Sequence, residues 1–167
     1  MIQYRIAQPT DALALLQTRR KAVLSNHSGL YPEAVLQAWA PQITAETVAA
    51  ETAALQGADR LSLVAEDGGL MLGFCSLGLL EGLLKQCYVL SEHQGRGIAK
   101  CLVEMAEAEA KARGIERLRL SSSLIALGFY ERMAYQKMYD YLYELGPELS
   151  MPCVMMEKEL RDGKATE

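Results

Sequence analysis

The chain has 167 residues, half of them hydrophobic and 23% charged, which suits one folded domain with a full-sized core. Its formal net charge is −4, and its one basic run, Arg19-Arg20-Lys21, lies in a helical pattern and reads as a solvated face, so nucleic-acid binding is disfavoured. No apolar run is long enough to span a membrane, the N-terminus lacks a secretory pattern, and Cys75, Cys87, Cys101 and Cys153 lack paired metal-ligand spacing; free thiols in a reducing cytoplasm, with no metal, are expected.

Ile2, Tyr4 and Ile6 alternate with polar residues and predict a first strand. Pro9-Thr10-Asp11 predicts a helix start with Thr10 as N-cap, followed by a stripe of Leu13, Leu16, Val23 and Leu24. The stretch from Asn26 to Tyr31 breaks it. Pro32 opens a short helix containing Trp39, and Pro41 closes it. Thr44 caps a third helix that Gly57 ends. Leu61, Leu63 and Ala65 alternate, and Asp67-Gly68-Gly69 predicts a hairpin into a strand over 70–79. Glu81-Gly82 turns the chain into another strand, Leu83 to Leu90. A helix from about Gly97 to Arg113, a strand from Ile115 to Leu120 and a helix over 123–133 follow. Closing strands over 137–145 and 153–160 are joined by Gly146-Pro147-Glu148. The order predicts an α/β fold, a mixed sheet with helices on its faces, in one domain over 1–160; the tail, 161–167, reads as disordered.

The most informative stretch is Val89 to Lys100. An apolar strand enters a glycine-bearing turn and a helix starts at once. Backbone N–H groups and the helix dipole there suit a phosphate or pyrophosphate, with Arg96 and Lys100 alongside. The dinucleotide-binding fingerprint requires a third glycine where Lys100 stands, and the Gly-Lys-Ser/Thr of nucleotide-triphosphate loops is absent.

The spacing Gln94-x-x-Gly97-x-Ala99 instead resembles the pyrophosphate loop of the GNAT superfamily, the acetyl-CoA-dependent N-acetyltransferases. A second segment supports the resemblance: Ala126, Phe129, Tyr130 and Tyr135 match in register a family motif, while Ser123 replaces its usual asparagine and Ala134 its usual glycine. The resemblance implies a mostly antiparallel central sheet in which the strands ending near Leu90 and Leu120 splay apart. Acetyl-CoA would enter that gap. Its pantetheine would pair with the backbone of Cys87, Tyr88 and Val89, and its pyrophosphate would rest on Gln94, Gly95, Arg96, Gly97, Ile98, Ala99 and Lys100. Ser123 would stand beside the pantetheine. A primary amine, on a small molecule or a peptide, would attack directly, and Tyr130 would protonate the departing thiolate.

The base is less evident. Leu83 occupies the place where many relatives carry glutamate; Glu81, which shares its face by strand parity, is a candidate base or else a solvated turn residue, and His27 is the other candidate base. His27, Tyr31 and Trp39 belong to the region that overhangs the acceptor site in this fold. Cys87 has no histidine placed beside it by sequence and is not a nucleophile on this reading. Other readings stay open: another acyl group or acceptor, or a CoA-binding sensor without catalysis. The Met- and Tyr-rich closing strands suit either a homodimer seam or core.

Overall fold

A computed structural model describes residues 1–161. The disordered tail expected over 161–167 lies, from 162 onward, outside the described residues. The elements in chain order are β1 (Gln3–Ile6), α1 (Ala12–Leu24), α2 (Glu33–Trp39), α3 (Ala45–Gln56), β2 (Arg60–Asp67), β3 (Leu70–Gly78), β4 (Leu83–Val89), α4 (Ile98–Ala112), β5 (Arg117–Ser123), α5 (Leu127–Arg132), β6 (Gln136–Gly146) and β7 (Leu149–Glu159). The strands form one sheet in the order β1-β2-β3-β4-β5-β7-β6. Every pairing is antiparallel except β4 with β5. This is the mostly antiparallel mixed sheet that the resemblance implies.

Alternation along the strands sends side chains to two faces. On one face, Leu102, Val103 and Ala106 of α4 pack with Leu63, Cys75, Leu118 and Leu120 in the main core, which also takes Tyr130 and Met133. On the other, Leu15 of α1 meets Val64, Met71 and Phe74. A third cluster joins Val35 and Leu36 of α2 to Met151 and Cys153 of β7. Under α3 the sheet carries a buried polar group: Arg60 pairs with Glu51 at 2.6 Å and donates to Ser76, whose hydroxyl lies 2.8 Å from that of Ser62. Within this group the buried hydroxyls and the guanidinium thereby meet partners, which such burial requires.

Several boundaries differ from expectation. Thr10 is no cap: Pro9–Asp11 form a 3-10 turn, and Asp11 accepts the Gln8 N–H at 2.7 Å. Arg5 clamps that turn to β2 through Asp11 and Glu66. Leu13 is 44% exposed, because α1 turns Ala12, Leu15, Leu16 and Thr18 inward instead. The sequence pattern ends the strand at Leu120 and begins a helix at Ser123, yet β5 runs through Ser123, held in register by Val154 and Cys153. The following helix is correspondingly shorter than predicted. The closing strands divide between the two readings: Met151 and Met156 are core, whereas Met138, Tyr139 and Tyr143 are at least half exposed on β6, the sheet's edge strand.

Candidate active site

β4 and β5 touch only briefly. Leu83 pairs with Arg119 and Leu84 with Leu120, and no further pairing follows. On its other side β4 continues to pair with β3 as far as Val89. The register there jumps from Leu77↔Leu84 to Ser76↔Gln86, so Lys85 is the extra residue of a β-bulge. A bulge bends its strand and increases its twist. It sits where β4 leaves β5, and it supplies a local reason for the divergence. Beyond it, the β5-facing backbone edge of Gln86, Cys87, Tyr88 and Val89 has no strand beside it.

A cleft of about 160 Å³ fills the gap. Its walls include Cys87, Tyr88 and Val89 from β4, Ser121 and Ser123 from β5, Ala126 and Tyr130 from the α5 region, and Gln94. Asn26 and Gln86 also line it, and sequence reading had assigned neither.

At one end of this cleft α4 begins. Gly95 and Gly97 have φ of +74° and +77°, and Gly97 is the N-cap in the left-handed conformation. A side chain there would be strained, although neither Cβ would strike a neighbour. The glycines therefore serve the backbone turn and leave open space above it. The first helical bond runs from the Cys101 N–H to the Gly97 carbonyl. The N–H groups of Ile98, Ala99 and Lys100 precede that bond and have no acceptor within the helix. Together with the dipole they suit an anion. The loop is braced: Lys21 pairs with Glu92 at 2.9 Å and holds its carboxyl down at about 2. Gln94 donates to the Val89 carbonyl at 3.4 Å, and Arg96 lies 2.9 Å from His93 Nδ1.

Tyr130 stands on α5 with 7% of its surface exposed, between Phe129 and Tyr135 in edge-on ring contacts at 5.0 and 5.7 Å. Burial, with the nearby Cys87 and Cys75 thiols, pushes its pKa well above 10. The phenol therefore keeps its proton at neutral pH. Ser123 Oγ accepts the Ala126 N–H at 3.2 Å, so the serine that replaces asparagine shapes the turn into α5 as well as lining the cleft.

A second pocket adjoins the first and shares Trp39, Lys85, Gln86, Tyr88, Ser121 and Ser123 with it. Trp39 packs between Tyr31 and Tyr88, with ring centroids 6.1 Å away on each side. Tyr31 itself is buried. Its hydroxyl donates to the Pro152 carbonyl at 2.5 Å and accepts the Leu124 N–H at 2.8 Å, which ties the α1–α2 connection to β7 and to the turn before α5. His27 is exposed and is not among the lining residues of either pocket. Glu81 lies in an exposed turn, paired with Lys85 at 2.8 Å, and lines neither pocket.

The basic run 19–21 needs correction. Lys21 is solvated, but Arg19 and Arg20 are part-buried and donate to the carbonyls of Trp39 and Pro41. Arg19 lines the second pocket. The phase of α1 explains this, since Leu15, Leu16 and Val23 face inward and carry Arg19 to the sheet side.

Comparisons with known proteins agree with this geometry. The family model described as "Acetyltransferase (GNAT) domain" matches residues 58–137. A mouse (Mus musculus) protein named "Probable N-acetyltransferase family 8 member 5" is 35% identical over 89 residues, covering 47% of this chain and 39% of that protein. The aligned stretch thus spans well under half the length of the curated relative. Among solved structures, a GCN5-related N-acetyltransferase from Rhodopseudomonas palustris superposes with a TM-score of 0.84 at 25% identity, over 94% of both chains. The PaiA N-acetyltransferase of Thermoplasma acidophilum, solved in complex with coenzyme A, gives 0.75 at 23% identity over 95% of this chain and 99% of that one. Residues 58–137, which span the loop and the Tyr130 segment, thus match a GNAT acetyltransferase domain, and the whole chain shares the fold of solved GCN5-related N-acetyltransferases.

Proposed function

We propose that the protein transfers an acetyl group from acetyl-CoA to a primary amine by direct attack. The observation that carries the reading is that Tyr130 lines the same cleft as the unpaired edge of β4 and the turn residues Ser123 and Ala126. Pantetheine amides would pair with the free edge of Cys87, Tyr88 and Val89 as an added strand would. The pyrophosphate would meet the N–H groups from Gly95 to Lys100, with Arg96 and Lys100 adding charge. This places the thioester near the bulge, where a backbone N–H around Cys87 can receive the developing oxyanion.

The amine nitrogen attacks the carbonyl carbon and a tetrahedral intermediate forms. The C–S bond then breaks, and the departing thiolate takes the Tyr130 proton. A phenol that stays protonated at neutral pH is suited to that step. The second pocket is taken to hold the acceptor, and the proton leaving the nitrogen passes through it to solvent. Glu81, turned toward Lys85 outside both pockets, receives no role as base in this scheme. Its Gln variant should retain kcat. Four free cysteines suit a reducing cytoplasm, and no helix among the described residues is long and apolar enough to cross a membrane.

The test is release of free thiol from acetyl-CoA across a panel of amines. Turnover with at least one amine, matched by an equal amount of acetylated product, is expected. Tight acetyl-CoA binding with no turnover on any amine would favour a CoA-binding sensor instead.

A further inference from the structure

The acceptor pocket contains two cations that the chemistry above does not use. Arg19 lines it from α1 and Lys85 from the β4 bulge, and Glu144 is the single carboxylate among the described lining residues. No carboxylate pairs with Arg19 among the described residues. Its Nη2 donates a long bond to the Trp39 carbonyl at 3.3 Å, and its guanidinium carbon lies 5.6 Å from the centre of the Tyr88 ring. Its Nε is fully buried and has no hydrogen-bond partner. A charged donor without an acceptor in such a place is costly, and the part-buried guanidinium that carries it lines the pocket, where an anion can approach. Lys85 Nζ meets Glu81 at 2.8 Å in a half-exposed pair that solvent weakens, so it can turn to a stronger partner. The remaining wall is apolar or aromatic: Trp39, Tyr88, Tyr143, Leu145 and Met151.

We infer that the acceptor is an amine bearing a carboxylate, of the amino-acid type with an apolar side chain. Arg19 receives the carboxylate, aided by Lys85, and the aromatic wall takes the side chain. This rests on the acetyl-transfer reading and narrows its substrate class. A planar guanidinium fork matches a carboxylate better than any other anion-binding side chain does. A guanidinium without a carboxylate partner in the wall would disfavour a plain cationic amine, which brings positive charge and nothing to neutralise it. A carboxylate beside the amine reverses that balance.

The chain has one tryptophan, Trp39, and it lines this pocket, so its fluorescence reports acceptor binding without turnover. The full chain, saturated with coenzyme A, is titrated with matched pairs: L-phenylalanine against phenethylamine, and L-leucine against isoamylamine. In at least one pair the carboxylate-bearing member should bind about tenfold or more tightly, as one charge-assisted hydrogen bond supplies. Arg19→Gln should erase most of that preference while leaving coenzyme A affinity unchanged. If Arg19→Gln does not fold, Lys85→Gln, at an exposed bulge, should reduce the preference from the other wall.

Equal binding within both pairs, no binding of any member, or a preference that survives in both variants would overturn the inference. Thiol release from acetyl-CoA with the same ligands separates this outcome from the parent reading. Carboxylate-dependent binding without any release would leave the inference standing and remove the acetyl-transfer function. Release that ignores the carboxylate would do the reverse.

Discussion

Leu84 of β4 and Leu120 of β5 form the last pair between these strands, and the next residue of β4, Lys85, is the extra residue of a bulge. Both leucines are buried in the main core, at 4% and 1% exposure. The two strands are thus fastened at one point and released immediately after it. The cleft is a consequence of that fastening, and everything proposed for the cofactor depends on the backbone edge it leaves free.

That edge can be read by amide hydrogen exchange. Coenzyme A should slow exchange across Gln86–Val89 and across Gly95–Lys100, because a ligand that bonds to open N–H groups protects them. Leu83 and Leu84, already paired to β5, should change little. Protection confined to other surfaces would remove the cleft as the cofactor site.

Tyr130→Phe keeps the ring in its edge-on contacts and removes only the hydroxyl. Loss of a general acid should lower kcat by about 10²-fold or more with little change in acetyl-CoA affinity. Because burial raises the phenol's pKa well above 10, it remains protonated to that point. The wild-type kcat should therefore show no alkaline limb from this group below pH 10. Stopped turnover assays at saturating substrate check both statements.

Tyr31 links three segments through one hydroxyl, and burial pushes its pKa up to about 12 from an ordinary 10. A raised folded-state value means that the contribution is fully present below pH 10 and is lost as pH rises from 10 through 12. Tyr31→Phe leaves the Leu124 N–H and the Pro152 carbonyl without this partner and should cost about 2 kcal/mol at neutral pH. Its loss of stability between pH 10 and 12 should be shallower than in the wild type. Urea denaturation at several pH values measures both effects; parallel curves for the two proteins would contradict the assignment.

Ala134 follows α5 in the Tyr130 segment. This residue, where the resembled motif has glycine, adopts φ +68°, and it is the one non-glycine residue with positive φ among the described residues. A left-handed conformation costs a Cβ-bearing residue roughly 1–2 kcal/mol, while glycine carries an entropic penalty of roughly half that. Ala134→Gly should therefore stabilise the protein by about 0.5 kcal/mol, seen as a higher denaturation midpoint with an unchanged slope.

Much of this was legible in the sequence because it depends on local chemistry. Thr44 and Gly57 bound α3, Asp67-Gly68-Gly69 turns β2 into β3, and the polar turn before Ile98 opens α4, all through residues acting on their own backbone. The two motifs that contain Gly97 and Tyr130 then related two distant segments to each other. The bulge at Lys85 was not legible, because it exists only in the register between β3 and β4. Arg19 was misread for a related reason: charge in a helical run suggests solvent, and only the packing of α1 on the sheet turns this one toward Trp39 and Tyr88. Tyr31 and Glu81 were reasonable candidates by position. The hydroxyl of the first is engaged with Pro152 and Leu124, and the carboxylate of the second with Lys85.

The central claim is direct transfer from acetyl-CoA held in the cleft to an amine, with Cys87 lining the path but taking no part as nucleophile. A single-turnover experiment with excess protein tests it: intact-protein mass spectrometry and thiol release are followed with acetyl-CoA alone, then after an acceptor amine is added. The account predicts an unmodified protein and no thiol until the amine arrives, then equal amounts of coenzyme A and acetylated amine. A burst of thiol before the amine, with an acetyl group on the protein at Cys87, would contradict it.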